Sequence, residues 1–369
     1  MPVTIHDVAR RAQVSASTVS RALSASHLVR GTTRDRVLAA AKELGYQPNP
    51  AARSLITGRT GNIGIVVPDL NNPFYTGVLR GVQARARQSG YAVFFADGEE
   101  DPVAEESLVR AMARQVDGVV MCAPFSSDAQ LRALAGVTSL TLLNRRLRDI
   151  PAALMDSAGG MRQVVEHLAA LGHQRCAYLN GPNNAWSNRE RRRGLRSAAT
   201  RNGITIVDFG PFEPKFEGGV QAADLALAEG VTAIIAYNDL MALGVLSRLS
   251  DRGVAVPQEM SVVGFDNLLY AAVCAPPLTT VAMPMEAGGR AAVDLLLAGI
   301  DGAEDGDAGG DVRSQRSPAG TGPYRELSTN LIVRATTAAA HPSAETTVTV
   351  PAPGTPARSD FIDHPQAFA

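Results

Sequence analysis

Two short helical patterns meet around a tight turn in residues 4–23, TIHDVARRAQVSASTVSRAL. Thr4 can cap the first helix and Ser15 the second, because their hydroxyls accept hydrogen bonds from the free amides of a helix start. Apolar residues recur at helical spacing and face inward: Ile5, Val8, Ala9 and Ala12, then Val19, Ala22 and Leu23. The outer face near the start of the second helix is left to Ala16, Ser17, Ser20 and Arg21. A recognition helix presents this end to base edges, so the segment predicts a DNA reader, although an ordinary helical hairpin shows the same pattern.

A third helical pattern and an excess of positive charge favour the DNA-binding interpretation. The pattern begins at Thr32 or Thr33 and ends at Gly45. Its inward residues are Val37, Leu38, Ala41 and Leu44. Residues 1–59 contain nine Lys and Arg residues against three acidic ones, whereas the whole chain has a formal net charge of −1. Such asymmetry predicts a polyanionic partner at one end of the chain.

Five segments resemble the lactose/galactose repressor family of bacterial transcription regulators over roughly residues 3–336: TIHDVARRAQVSASTVSRAL, TRDRVLAAAKELGYQPNPAARSL, NIGIVVPDLNNPFY, VVGFDN and LIVR. The resemblance implies a sequence-specific repressor that is not an enzyme and needs no cofactor. It would act as a homodimer on pseudo-palindromic double-stranded operator DNA, under allosteric control by a small effector, a sugar or polyol. One departure is Gln13, because the family's turn usually has Gly there; a positive φ at this position costs another residue about 1 kcal/mol.

The resemblance also divides the chain and assigns its DNA contacts. A headpiece would span residues 1–46, a hinge helix and linker 47–60, and an effector-binding and dimerisation core 61–337. The DNA-contacting residues are Thr4, Ser15, Ala16, Ser17, Thr18, Ser20 and Arg21 in the headpiece and Asn49, Ala52, Arg53 and Leu55 in the hinge. Leu55 would enter a minor-groove step, and an apolar wedge of this kind unstacks bases and bends the duplex. The hinge is too short to be a stable helix alone, so it would fold on DNA beside its symmetry mate; a flexible linker is the alternative.

From residue 61 onward, short apolar runs alternate with helical patterns, which is typical of parallel sheets covered on both faces. Examples are NIGIVVP, GVVMC, RCAYLN and MSVVGF. We therefore predict an all-α helix-turn-helix headpiece and an α/β core of two doubly wound parallel-sheet subdomains, which resembles periplasmic sugar-binding proteins. The first subdomain would span 61–155 and 284–300, and the second 156–282 and 326–337, with LSTNLIVR as a late strand of the second. The Gly-, Asp- or Pro-rich segments 301–325 and 338–369 are predicted to be disordered.

Ligands of open α/β sheets bind beyond the carboxyl ends of the strands. Six predicted strands end in carboxylate or carboxamide residues: Asp69 and Asn71, Asp97, Asn144, Asn180, Asn238 and Asp239, and Asp266. Each alone more often caps a helix or forms a turn, and we interpret Asp239 as a cap. Together they predict a cleft suited to a polyhydroxylated ligand.

The resemblance refines this cleft residue by residue. Sugar hydroxyls would be bound by Asn144, Arg191, Asn238 and Asp266, with Asn71 nearby. Phe74 and Phe212 would cover apolar ring faces, while Trp186 would either stack on the ligand or pack in the hinge region. Of the run Arg191, Arg192 and Arg193, only one side chain can face a given site, because successive helical residues point about 100° apart. A purine or nucleoside effector remains the alternative.

Several other classes of protein are disfavoured. The N-terminus lacks the apolar region of a secretory signal, which argues against a sugar-binding transport protein and for a cytoplasmic, nucleoid-associated one. No apolar run approaches the roughly 20 residues that span a bilayer. Three widely spaced cysteines suggest free thiols instead of a metal site or a disulfide, and motifs of nucleophilic or metal-dependent catalysis are absent.

Overall fold

The computed structural model describes residues 3–24, 29–46, 58–302 and 322–340. Three helices form the headpiece: α1 (Ile5–Ala12), α2 (Ala16–Ser24) and α3 (Gly31–Glu43). They pack around Val8, Val19 and Val37, each of which is completely buried. This part of the chain therefore has the three-helix arrangement that the sequence predicts.

Two details of the headpiece differ from the prediction. Helix α3 begins at Gly31, so Thr32 and Thr33 lie in its first turn and do not cap it. Leu38 is 40% exposed, and Ala40 is buried beside Val37 and Ala41 instead. The small core accepts the face formed by positions 37, 40 and 41, which leaves the bulkier Leu38 outside. Gln13 has φ 53° and ψ 48°, the left-handed conformation that its place in the turn suggested.

The core alternates strands and helices. The strands are β1 (Asn62–Val67), β2 (Ala92–Asp97), β3 (Gly118–Cys122), β4 (Ser139–Leu143), β5 (Ala152–Met155), β6 (Arg175–Leu179), β7 (Thr205–Phe209), β8 (Ala233–Ala236), β9 (Ser261–Asp266), β10 (Thr279–Ala282), β11 (Tyr324–Leu327) and β12 (Asn330–Ile332). The helices are α4 (Pro73–Gln88), α5 (Pro102–Met112), α6 (Asp128–Ala135), α7 (Ser157–Ala170), α8 (Trp186–Asn202), α9 (Phe216–Ala228), α10 (Asp239–Asp251), α11 (Leu269–Val273) and α12 (Met285–Gly302).

These strands form two sheets, each the centre of one subdomain. The first has the order β11-β5-β4-β3-β1-β2 and the second β12-β10-β9-β8-β6-β7. Neighbouring strands are parallel except β10 and β12, which are antiparallel. Strands such as β3 and β9 are buried along their whole length, as expected where helices cover both faces of a sheet. The predicted pair of doubly wound sheets is confirmed.

Within residues 58–302 and 322–340, the chain crosses between the subdomains three times. It leaves the first sheet after Met155, and after Ala282 it returns to that subdomain, where helix α12 packs against α4. The third crossing corrects two predictions, because β11 pairs with β5 of the first sheet and only β12 joins the second. Residues 324 and 325, assigned to the disordered insertion, thus lie in a strand, and LSTNLIVR does not belong wholly to the second subdomain. Strand β11, YREL, lies at the edge of its sheet and is only partly buried. It therefore has no apolar run by which the sequence would predict a strand.

The segment just before residue 341 is attached to the second subdomain. The amide of Ala340 donates to the carbonyl of Leu171 at 2.8 Å, and the amide of Ala338 donates to Ser261 Oγ at 3.2 Å. The boundary predicted at residue 338 is therefore too early by at least three residues. Within the described ranges, no helix is both long and apolar enough to cross a membrane.

Candidate DNA-binding and effector sites

The start of α2 presents a small polar surface. Ser15 Oγ accepts the backbone amide of Thr18 at 3.1 Å, which confirms its predicted capping role. The Ser15 hydroxyl also lies 2.8 Å from the hydroxyls of Ser17 and Thr18. Ser17 and Arg21 are exposed, and Ser20 is half-buried. Ala16 packs partly against the headpiece core, so it belongs less to the outer face than its position suggested.

The start of α1 is fixed by a second cap. The hydroxyl of Thr4 donates to the Asp7 carboxylate at 2.7 Å, and the backbone amide of Thr4 donates to the same oxygen at 3.0 Å. These hydrogen bonds lower the pKa of Asp7. Thr4 and Asp7 thus close the end of α1 that lies away from the turn between α1 and α2. The hinge residues Asn49, Ala52, Arg53 and Leu55 lie outside the described residues.

A cavity in the core is lined by residues of both subdomains. It contains about 550 Å³ of space, including open solvent. Its walls include five of the predicted effector residues: Phe74, Asn144, Arg191, Asn238 and Asp266. The first subdomain adds Asn72, Tyr75, Glu100, Ala123 and Phe125, and the second adds Pro182, Ala185, Ser187, Pro214 and Tyr237. The carboxyl ends of the strands therefore meet at one cleft, as the sequence predicts.

The centre of the second wall is a buried ion pair. Arg191 Nη2 donates to Asp266 Oδ1 at 3.3 Å, and both side chains are 5% exposed. Arg191 Nη1 donates to the carbonyl of Tyr237, and the guanidinium lies over the rings of Tyr237 and Phe265, 4.4 Å and 3.9 Å from their centroids. Arg191 Nε is buried and has no hydrogen-bond partner among the described residues. Arg192 and Arg193 instead bind Asp208 and Glu190, so one arginine of the three faces the cleft.

The second wall has two buried carboxyl groups: Asp266 belongs to the ion pair, and Asp239 lies behind it. Burial raises the pKa of Asp266 to about 8, although Arg191 acts in the opposite direction. Burial also raises the pKa of Asp239 to about 7. The Asp239 carboxylate accepts the backbone amide of Leu268 at 2.7 Å and the hydroxyl of Thr280 at 2.5 Å. Asp239 is therefore not the helix cap that we predicted: Asn238 caps α10, and Asp239 holds the segment that follows Asp266.

Two of the three asparagines predicted to bind the effector, Asn144 and Asn238, line the cavity, and both are engaged in structural hydrogen bonds. Asn144 Oδ1 accepts the amide of Met155 at 3.1 Å. Asn238 Oδ1 accepts the amide of Met241 at 2.9 Å, and its Nδ2 donates to the carbonyl of Pro214 at 2.8 Å. Asn180 is also tied to its own subdomain, because Nδ2 donates to Asp208 and to the carbonyl of Phe209. Asn238 therefore caps a helix, whereas Asn144 and Asn180 hold the neighbouring strands β5 and β7.

Three predicted effector residues do not line the cavity. Asn71 is exposed, and its neighbour Asn72 lines the cleft and caps α4 through the amide of Phe74. Trp186 packs against the hydrophobic core of the first subdomain, although it begins helix α8 of the second. Phe212 packs against the core of the second subdomain. The rings that sequence reasoning missed are Tyr75, Phe125 and Tyr237.

Comparison with known proteins agrees with both halves of this structure. Residues 4–49 match the family model of bacterial regulatory proteins of the lacI family, and residues 165–337 match a periplasmic binding protein-like domain. The HTH-type transcriptional repressor PurR of Photobacterium profundum is 34% identical over 316 residues, which are 80% of this chain and 91% of that protein.

Two solved structures are similar over nearly the whole chain. A Lac repressor dimer bound to operator and an anti-inducer is 30% identical with a TM-score of 0.77, covering 92% of this chain and all of that one. A complex of the transcriptional regulator CelR with cellobiose is 31% identical with a TM-score of 0.65, covering 90% of this chain and 99% of that one. The helix-turn-helix headpiece, the two-sheet core and these similarities lead to one conclusion: the chain belongs to the lacI family of bacterial regulatory proteins, as a transcriptional regulator.

Proposed function

We propose that this protein is a repressor that binds pseudo-palindromic operator DNA as a homodimer, in the cytoplasm and on the nucleoid, and that a sugar or polyol in the cleft controls this binding. The observation that carries the proposal is a cleft lined by both subdomains in the same chain as a helix-turn-helix domain. A ligand held by both walls changes the balance between open and closed arrangements of the subdomains. The coupling free energy between an effector site and a second binding site is typically about 1–3 kcal/mol.

The DNA-binding half of the proposal assigns base reading to the outer face of α2. Ser17 and Arg21 are exposed there, and Arg21 is the residue with the reach for a guanine edge. Thr4, Ser15, Thr18 and Ser20 would contact phosphates or the groove wall, while Ala16 contributes little beyond its small size. The hinge residues Asn49, Ala52, Arg53 and Leu55 would bind the minor groove. The similar Lac repressor dimer is bound to operator, which supports this assignment.

The effector half of the proposal rests on the chemistry of the cavity. A buried charged pair, Arg191 and Asp266, offers a donor and acceptors for hydroxyl groups. Phe74, Tyr75 and Phe125 offer ring faces for the apolar side of a sugar. The similar regulator CelR is complexed with cellobiose, a sugar. The same rings would stack a nucleobase, so a purine or nucleoside effector is the second candidate.

Arg21→Ala tests the base-reading role. We expect operator affinity to fall about tenfold to a hundredfold, because a good side-chain contact to a base is worth about 1–3 kcal/mol. Binding to random DNA should change much less. Arg36→Ala, which removes the same charge from the exposed surface of α3, is the matched control. Fluorescence anisotropy on both DNAs measures the effect, and an equal loss on operator and random DNA in Arg21→Ala contradicts base reading.

A thermal-shift screen of the full chain identifies the effector class. Monosaccharides, disaccharides, polyols and nucleosides are compared at equal concentration, since a ligand that binds only the folded state raises Tm. We expect a sugar or polyol to give the largest rise. A rise with nucleosides alone would replace the sugar proposal with the second candidate.

A further inference from the structure

Glu100 is a cavity-lining acid that the sequence-derived set of effector residues does not include. It lies three residues beyond the end of β2, in the turn that follows this strand, and its side chain is half-buried. The structure shows no hydrogen bond or salt bridge from its carboxylate to a described residue. A cavity-facing carboxylate with free acceptor positions is ready to bind a donor on a ligand.

The turn holds Glu100 in a fixed position. Glu99 and Glu100 have φ values of 51° and 56°, which few residues other than Gly adopt without support. The support comes from backbone contacts: the amide of Glu100 donates to the carbonyl of Pro68 at 2.9 Å, and the Asp97 carboxylate accepts the amides of Leu70 and Glu99, each at 3.0 Å. These hydrogen bonds fix the conformation of the turn, and with it the position of Glu100 at the cleft.

Acidic side chains outnumber basic ones in the lining of the cavity. Its charged lining residues are Glu100, Asp266 and Arg191. Each terminal nitrogen of Arg191 donates one described hydrogen bond, Nη2 to Asp266 and Nη1 to the carbonyl of Tyr237, and the buried Nε has no described partner. The guanidinium is therefore already paired with an acid. Burial raises the pKa of Glu100, and Asp69, Glu213 and Asp97 raise it further, while Lys215 lowers it. Lys215 itself lies 3.8 Å from Glu213, so this cation is shared with another acid.

We propose that Glu100 determines the charge class of the effector, accepting a hydrogen bond from a hydroxyl or ammonium group and excluding phosphorylated and carboxylated ligands. The proposal rests on the proposed function, because it concerns the same cleft. An anion here meets the half-buried carboxylate of Glu100, and the basic residue of the described lining, Arg191, is already paired with Asp266. Because like charges repel strongly where water is scarce, the effector is a neutral or amino sugar and not a sugar acid or a sugar phosphate.

Matched ligand series test this proposal on the full chain. Each series contains a neutral sugar, its amino sugar, its uronic acid and its phosphate ester, built on glucose, galactose and ribose where the compounds exist. Thermal shift and titration calorimetry give the affinities. In any series that binds, we expect the neutral or amino member to bind at least about tenfold more tightly than either anion.

The variant Glu100→Gln should reduce this preference about tenfold or more, chiefly by strengthening the anions and weakening the amino sugar. Glu99→Gln is the matched control, because Glu99 is the exposed neighbour in the same turn and the substitution removes the same charge. An anion that binds the wild-type protein as tightly as its neutral parent overturns the inference about Glu100 but leaves a small-molecule effector in place. Equal changes in both variants also overturn it, since they reveal a general effect of net charge. If no member of any series binds, the sugar proposal and this inference both fail.

Discussion

The two walls of the cleft are built differently. The second subdomain contributes a buried ion pair, Arg191 and Asp266, with a further buried acid, Asp239, behind it. The first subdomain contributes Phe74, Tyr75 and Phe125, and its polar residue Asn144 is used to hold β5. The wall of the second subdomain is therefore a preorganised polar surface. The wall of the first subdomain is mainly aromatic, and its acid Glu100 has no described hydrogen bond or salt bridge through its carboxylate. A ligand with hydroxyls on one side and C–H groups on the other satisfies both.

The largest effect is expected from the polar wall. In Asp266→Asn, Arg191 loses its buried counter-charge, and breaking such a pair costs about 2–5 kcal/mol. We expect binding of the sugar identified by the screen to weaken at least about a hundredfold, with Tm lowered and operator binding retained. Calorimetry with that sugar measures the loss.

Asp208→Asn is the control for this variant, because Asp208 pairs with the adjacent Arg192 at 2.6 Å outside the cavity. A similar loss of sugar affinity in both variants would show that the ion pair acts on the subdomain as a whole and not on the ligand.

A smaller effect is expected from the apolar wall. Phe125→Ala removes a ring that lines the cavity, and burying such a side chain is worth about 1.5–3 kcal/mol, so sugar affinity should fall about tenfold. Phe212→Ala removes a ring that packs on the core of the second subdomain, and should lower Tm with little change in affinity. If Phe212→Ala instead weakens sugar binding about tenfold while Phe125→Ala does not, Phe212 belongs to the effector site, as the sequence predicted.

The smallest effect is expected for Asp239, the acid behind the polar wall, and it concerns the pH dependence of the free energy of unfolding. The pKa of Asp239 is raised from 3.8 to about 7 in the folded protein, so the wild type loses stability as pH rises between these values, because the unfolded chain ionises first. Asn does not titrate. The unfolding free energy of Asp239→Asn relative to wild type should therefore rise with pH through this window and level off above it. Urea unfolding of both proteins at a series of pH values measures this difference, and parallel profiles would show that Asp239 is ionised throughout.

Sequence patterns predicted several of the longer buried strands. Strands β3 and β9 are continuous apolar runs, and both were recognised. Strands β7 and β11 lie at or near sheet edges and carry polar residues, so periodicity does not distinguish them from loops. For β7 and β11 the physical cause is the same, because an edge strand needs less apolar surface. The four-residue strands β5 and β10 were not recognised either, although β5 is buried along its whole length.

The cavity was predictable to the extent that it follows strand ends. Asp266 was found in this way, and Arg191, which lies within helix α8, was found by the family resemblance. Tyr237 and Phe125 follow β8 and β3 closely, so the same rule would have found them if aromatic residues had been included in the search. Which of Asn71 and Asn72 points inward depends on the cap of α4. Glu100 required the backbone of the turn after β2, which no spacing in the sequence reveals.

Operator affinity in the presence and absence of the cleft ligand is the most direct test of the link between the two halves of the molecule. Wild-type protein is titrated with operator DNA with and without a saturating amount of the sugar found in the screen, and Asp266→Asn is titrated in parallel. We expect the operator Kd of the wild type to change at least about fivefold and that of the variant to stay constant. A wild-type Kd that does not change while calorimetry shows the sugar bound would contradict control of DNA binding from the cleft.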